Sequence, residues 1–334
     1  DGEFIIVTEL NDPYSVNPLK YGSSEADPDP IVALLKVRNE AYAVNRYTVE
    51  VFNNIGSADG LFPFQRVEGA QLQRGAVGTH ACCVFSTSAG AGVFIDQIAF
   101  LGSGRDEPPA IWLGLNGTTQ KISTREIDTI LQQFPEGTLS RVVLEPRIDK
   151  SHQFLYVHLP NQCLVYDAAA TAAVGEPVWF QLTSTVSGLG VYRARNLVWC
   201  YDRWNTGDPV GFNVGTLVDG YSTHFGQVVG WEFSTQILYN ESHGAIIHQM
   251  ELVSLPGRVV FGKDPVVWTS YSTDGENWSQ ERTCNAGKRG ERNKRLTWLR
   301  QGHMRNYRMQ KFRGTSDAHI SVARLEMVVE ALSG

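Results

Sequence analysis

The chain has 334 residues, a net charge of −6, 42% hydrophobic and 19% charged residues. That balance supports one large or two ordinary packed cores and excludes wholesale disorder. No run of about 18 apolar residues occurs, so no helical membrane span and no membrane partner is predicted.

The first residues, DGEFIIVTEL, contain no Met, no basic n-region and no signal-type apolar core. They read as the middle of a β-hairpin, and the expectation is a fragment lacking an upstream part. Strand signals follow in short β-branched and aromatic runs: IVALLKV at 31–37, AYAVN, then YTVEVF at 47–52. QIAFLG (97–102) and AIWLGL (110–115) flank the turn-rich GRDEPP. The segment STREIDTILQQF (123–134) predicts the one helix. Ser123 and Glu126 have capping-box spacing, Ile127, Ile130, Leu131 and Phe134 recur at helical intervals, and Pro135 stops it.

FLYVHL (154–159) and LVYDA (164–168) flank PNQC, a tight hairpin, and VWFQLT (178–183) comes next. LVWCYD (197–202) and VGFNVG (210–215) complete a fourth group. The groups recur at roughly 45–60 residues, an interval that suits four-stranded propeller blades with insertions. A β-sandwich with long loops is the competing reading. From about residue 237 the strands lengthen and alternate well, as in PVVWTSYSTDGENWSQERT and RLTWLRQGHMRNYRMQKFRG. The predicted fold is therefore all-β: a propeller-like, incomplete domain over 1–235, followed by an antiparallel sandwich over 236–334.

The stretch STDGENW (272–278) nearly spells the Asp-box of sialidase-type propellers. Gly275 follows Asp274 directly, however, so one position is missing, and the box occurs once. Asp-Gly predicts a two-residue type I′ hairpin with both central residues at positive φ. A glycosidase would need paired carboxylates. Asp96, Asp106, Glu107, Asp202 and Asp208 are the loop and strand acids available, and no spacing forces two of them together. A carbohydrate-binding or glycan-hydrolysing propeller stays as the alternative function.

His243 and His248, five apart, form no metal-ligand motif. The glycine-rich runs at 56–60 and 88–92 lack the GK[ST] of a phosphate loop, and no GxSxG elbow exists. No catalytic residue, cofactor or metal is therefore expected. The five cysteines, Cys82, Cys83, Cys163, Cys200 and Cys284, are odd in number and form no CxxC; they read as reduced thiols of a protein made in a cytoplasm.

The charge is uneven. Residues 282–313 hold eleven Lys/Arg against one acid, Glu291, a net of +10 that leaves −16 for the remainder. Lys288, Arg289, Arg292, Lys294, Arg295, Arg300, Arg305 and Arg308 are the candidate basic surface. Three readings are open for it: a solvated face with snorkelling arginines, a subunit interface, or salt-sensitive contact with DNA phosphates.

Five ordered stretches carry a family resemblance. RIDKSHQFLYVHLPNQCLVYDAAAT (147–171), WTSYSTDGENWSQERT (268–283) and RLTWLRQGHMRNYRMQKFRG (295–314) do so most clearly. PPAIWLGLNGTTQKISTREIDTIL (108–131) and residues 1–31 fall in line with them. In these the chain resembles the packaged DNA-stabilisation proteins, or tail accessory factors, of short-tailed phages. The loops at 53–75 and 201–225 depart from that pattern. The resemblance implies a non-enzymatic virion protein, made in the bacterial host and placed in the tail. It implies a homo-oligomeric ring, six copies, beneath the portal and adaptor, which helps close the DNA exit channel after packaging. It further implies support for the tail needle and tailspikes, and proximity to packaged DNA.

Overall fold

The computed structural model describes residues 2–9, 11–24, 26–56, 61–88, 93–218, 223–241, 243–259, 262–315 and 318–332. The glycine-rich runs singled out at 56–60 and 88–92 lie mostly outside them. The chain is all-β, with three short helices among the described residues. It divides into two compact units, Asp1–Leu182 and Thr183–Gly334.

The first unit is built from antiparallel meanders, because each run of alternating apolar residues is followed by a turn short enough to return to its neighbour. Ile31–Val37, Glu40–Asn45, Val49–Asn54 and Phe64–Arg66 pair in sequence order. Val143–Asp149, His152–His158, Cys163–Asp167 and Val178–Leu182 repeat that order. Between them in the chain, Phe94–Ser103 pairs with Gly75–Ala76, Cys82–Ser88 and Ala110–Leu115. Asn116 and Gly117, at φ 48° and 79°, turn Ala110–Leu115 into Thr118–Lys121; a primed two-residue turn matches the strand twist.

The side-chain period of two decides how these sheets stack. From the middle sheet, Ile98, Phe100 and Trp112 join Val37, Tyr42, Val44 and Val51 in one core. Its other face, Ala99, Leu101, Ile111 and Leu113, joins Leu144, Leu155, Val157 and Leu164 in a second. One sheet thus serves two cores, as successive propeller blades do. Backbones also meet closely: a Cβ on Gly102 would collide with the carbonyl oxygen of Gly75, and one on Gly75 with that of Asn45.

The predicted helix is shorter than its pattern, Arg125–Leu131, and the capping box does not form. Thr124 is the N-cap. The Ser123 hydroxyl is taken up elsewhere: it accepts the Ile111 N–H at 3.2 Å and donates to Asp128 at 2.6 Å. A neighbouring strand has outcompeted the helix for that oxygen.

The second unit holds the three-stranded meander Arg195–Cys200, Arg203–Gly207 and Val214–Thr216. The strand expected over 210–215 is confined to its last residues. Asp208 accepts the N–H groups of Val210 and Gly211 and the amide of Asn213, which folds this stretch into a loop with Phe212 at φ 54°. Two longer sheets follow. Tyr307–Thr315 is flanked by Gly230–Ser234 and Val266–Ser272, with Arg282–Asn285 beyond. Ala245–Val259 pairs with Leu296–Leu299, His303–Met304 and the long Ala318–Ala331 strand. Leu252, Val267, Leu296, Trp298 and Phe312 form the core to which both sheets contribute.

Candidate assembly surface

The basic segment enters the second unit as the strand Arg282–Asn285, a loop and three further strands, and each part treats its charges differently. On Tyr307–Thr315 every second residue points inward: Arg308, Gln310, Phe312 and Gly314 are buried. Lys311 and Arg313 point outward and are matched within the chain. Arg313 meets Glu281 through both Nε and Nη2 at 2.5 Å and lies 4.4 Å from the Trp268 ring centre. Lys311 reaches Glu232 at 3.7 Å and the Trp278 ring at 4.3 Å. Arg295 makes a two-point contact with Glu251, Nε to Oε1 at 2.8 Å, and this pair raises the guanidinium pKa and lowers that of the carboxyl. Such pairing holds side chains in register and leaves little net charge.

Arg308 is a correction. It is not on the surface but fully buried. Its Nε and Nη2 donate to Gln310 Oε1 at 3.0 and 2.8 Å, and Nη1 donates to the Gln301 carbonyl at 2.7 Å. Gln310 Nε2 passes the network on to Thr269 Oγ1 at 2.5 Å. Burial lowers the Arg308 pKa to about 10, so it remains charged at neutral pH. Strand alternation from buried Phe312 carries the signal for this position.

The remaining candidates are exposed. Lys288, Arg289, Arg292 and Lys294 sit in the loop before Leu296, and Arg300 and Arg305 in the turns between the next strands. Among the described residues none of these six has a carboxylate within ion-pair distance. Their setting is asymmetric: residues 1–182 carry twelve Lys/Arg against twenty-one Asp/Glu, and residues 183–334 seventeen against fourteen.

The Asp-Gly turn is a second correction. Gly275 is at φ 83°, but Asp274 is not at positive φ, so the turn is not type I′. The loop is longer, closing where Ser279 donates its N–H to the Tyr271 carbonyl at 2.8 Å. Asp274 organises it, accepting the N–H groups of Glu276 and Asn277 at 2.9 and 2.8 Å, the Asn277 amide at 2.7 Å and the Ser272 hydroxyl at 2.9 Å. The Asn277 amide and these other donors hold its pKa far below the ordinary carboxylate range. Sequence reasoning saw the turn residues and missed that a carboxylate can replace a primed turn as the organiser.

The acids weighed for hydrolysis have separate surroundings. Asp96 accepts the Ser86 hydroxyl at 2.5 Å, and Glu107 pairs with Arg74 at 2.5 Å. Asp208 is clamped by Arg193, whose hydrogen bonds are the main cause of its depressed pKa. Asp106 and Asp202 lie in exposed turns. His248 contacts Glu330 at 2.9 Å, and no group of three His, Cys, Asp or Glu able to hold a metal occurs among the described residues. All five cysteines are free thiols, and burial pushes that of Cys82 up to about 12.

A family model described as bacteriophage P22 Gp10, beta-propeller, matches residues 1–222. A second, bacteriophage P22 Gp10, beta-sandwich, matches residues 230–330. The tail hub protein gp10 of Salmonella phage P22 is 23% identical over 328 residues, 97% of this chain and 66% of that protein. The chain thus spans just under two thirds of that relative's length. Among solved structures, an exo-β-1,3-galactanase from Phanerochaete chrysosporium is 10% identical, with 89% of this chain and 95% of that one covered and a TM-score of 0.21. A second structure of an exo-β-1,3-galactanase from that organism has 11% identity, coverages of 89% and 97%, and a TM-score of 0.16. Scores this low carry no argument about fold or activity.

Proposed function

Because this chain belongs to the bacteriophage P22 Gp10 family, we propose that it is a structural component of the tail of a short-tailed phage. The observation that carries this reading is the ordered match of a propeller and a sandwich model along nearly the whole chain. The tail hub protein similar to it over 97% of its residues supports the same role. In this reading the propeller-like domain runs over 1–235 and the sandwich over 236–334.

The hub is a ring of identical copies, six by the family resemblance, below the portal and its adaptor. It helps close the DNA channel after packaging and supports the needle and tailspikes. A closed ring needs two different patches on each copy that fit one another. In this reading the acidic excess of residues 1–182 and the exposed cations Arg300 and Arg305, which have no carboxylate within ion-pair distance among the described residues, are the source of the two opposite charges. Opposite potentials steer encounter and fix register. The role requires no turnover, and the fold serves as scaffold.

Light scattering of the purified chain across concentration and salt tests this reading. A ring-sized mass that falls as salt rises is the expected result. A monomer at every concentration and salt, alone and with purified portal and adaptor, overturns it.

A further inference from the structure

We propose that the loop from Lys288 to Lys294 is a binding site for the phosphodiester backbone of duplex nucleic acid, independent of base sequence. This inference stands on the loop and not on the tail assignment.

The first ground is the contrast within one segment. Arg295, Lys311 and Arg313, on or beside strands, each have a glutamate of this chain: Glu251, Glu232 and Glu281. Lys288, Arg289, Arg292 and Lys294 have none among the described residues, and all four are exposed. The loop's own acid, Glu291, points back to accept the Lys288 backbone N–H at 2.8 Å. It lowers the loop's net charge to about three positive units without engaging a cationic side chain.

The second ground is that the loop is held in place. Its ends are anchored by Ala286 and Leu296, each 1% exposed in the sandwich core. Ala286 donates to the Pro265 carbonyl at 2.8 Å, Gly290 to the Gly257 carbonyl at 3.1 Å, and Glu291 to the Lys288 carbonyl at 3.0 Å. Gly287, Gly290 and Gly257 take the positive φ that this path needs. The cations are therefore presented from a fixed frame, and less ordering entropy opposes binding than for a free basic tail.

The third ground selects the ligand. Single-stranded nucleic acid is held by aromatic rings on which bases stack. The loop contains no aromatic residue, and the rings of the core beneath it, Trp298 and Phe312, are buried. Charge without stacking or base-edge readout favours the polymer of highest charge density, which is the duplex.

The test is fluorescence anisotropy of a labelled 20-bp duplex titrated with the full chain between 50 and 200 mM KCl, in two unrelated sequences. The expected result is equal affinity for both sequences and a log–log salt slope of about −2.7, about fortyfold weaker binding across that range. Replacing Lys288, Arg289, Arg292 and Lys294 together by Ala should abolish the slope and leave the unfolding midpoint unchanged, since the loop is held by backbone bonds. The wild-type chain failing to bind at 50 mM KCl, or the fourfold variant binding like the wild type, overturns the proposal. So does a variant whose one change is a lower self-associated mass, which would make the ligand an acidic protein surface.

Discussion

The guanidinium carbon of Arg308 lies 3.9 Å from the ring centre of Tyr271, in a site where Arg308 has no exposed surface. Its charge is met by a π face, a carbonyl oxygen and a glutamine oxygen, not by a carboxylate. A buried charge is costly unless every donor is used. This one joins the Tyr307–Thr315 strand to the turn at Gln301.

Arg308→Met should therefore destabilise the protein by about 3 kcal/mol, because Gln301 and Gln310 lose their partners inside the core. Urea unfolding measures it. Arg308→Met combined with Gln310→Met should recover part of the loss, since the orphaned amide is then removed as well.

Charge reversal at Arg300 and Arg305, both exposed, should lower the self-associated mass without lowering the unfolding midpoint. The two positions answer a question that Arg308 cannot, because a change at Arg308 acts on folding first. Unchanged mass in Arg300→Glu and Arg305→Glu would remove these two cations from the proposed subunit interface.

Gly102→Ala should cost about 3 kcal/mol or more, since its Cβ meets the backbone of Gly75 and neither chain can yield by rotating a side chain. Gly137→Ala, where a Cβ meets nothing within 4 Å, is the control. Thermal unfolding of the two variants should separate clearly.

Asp274 has a folded pKa depressed chiefly by the Asn277 amide. Its contribution is complete above the unfolded value of about 3.9 and is lost as pH falls through the lower folded value. Amide protection at Glu276 and Asn277 should hold from pH 7 to pH 4 and fail only in stronger acid. Asp274→Ala should remove that protection at every pH.

His224 is a separate titration. Burial lowers its pKa, with Arg193 adding to the effect, and its Nδ1 lies 2.8 Å from the Ser184 hydroxyl. The neutral ring is the one the fold favours. Its contribution is complete above about pH 6.5 and is lost as pH falls through the lowered folded value. The imidazole carbon resonance of His224 in NMR should titrate below the ordinary histidine value of about 6.5.

The sequence by itself determined most of the strands and their grouping into meanders, but not the short helices Glu136–Leu139 and Ala168–Val174. Runs such as Ile31–Val37 and Ala110–Leu115 are strands because β-branched and aromatic residues recur between turn formers. The short spacing between runs makes them antiparallel meanders. The ordered motifs also pointed to the family, and the uneven charge was visible as a count. Tertiary structure alone decided where each polar group finds its partner. Ser123 left the helix cap for Ile111, Asp274 replaced a primed turn with a carboxylate-centred loop, and Asp208 folded 210–213 out of a strand. Above all, it decided which cations are spent: Arg308 turned inward, Arg295 and Arg313 met glutamates 44 and 32 residues away, and Lys288 to Lys294 were left to solvent. Periodicity is a local property that a reader of the chain can count. Pairing depends on distances between residues far apart in sequence, and those are fixed only when the sheets close on their cores.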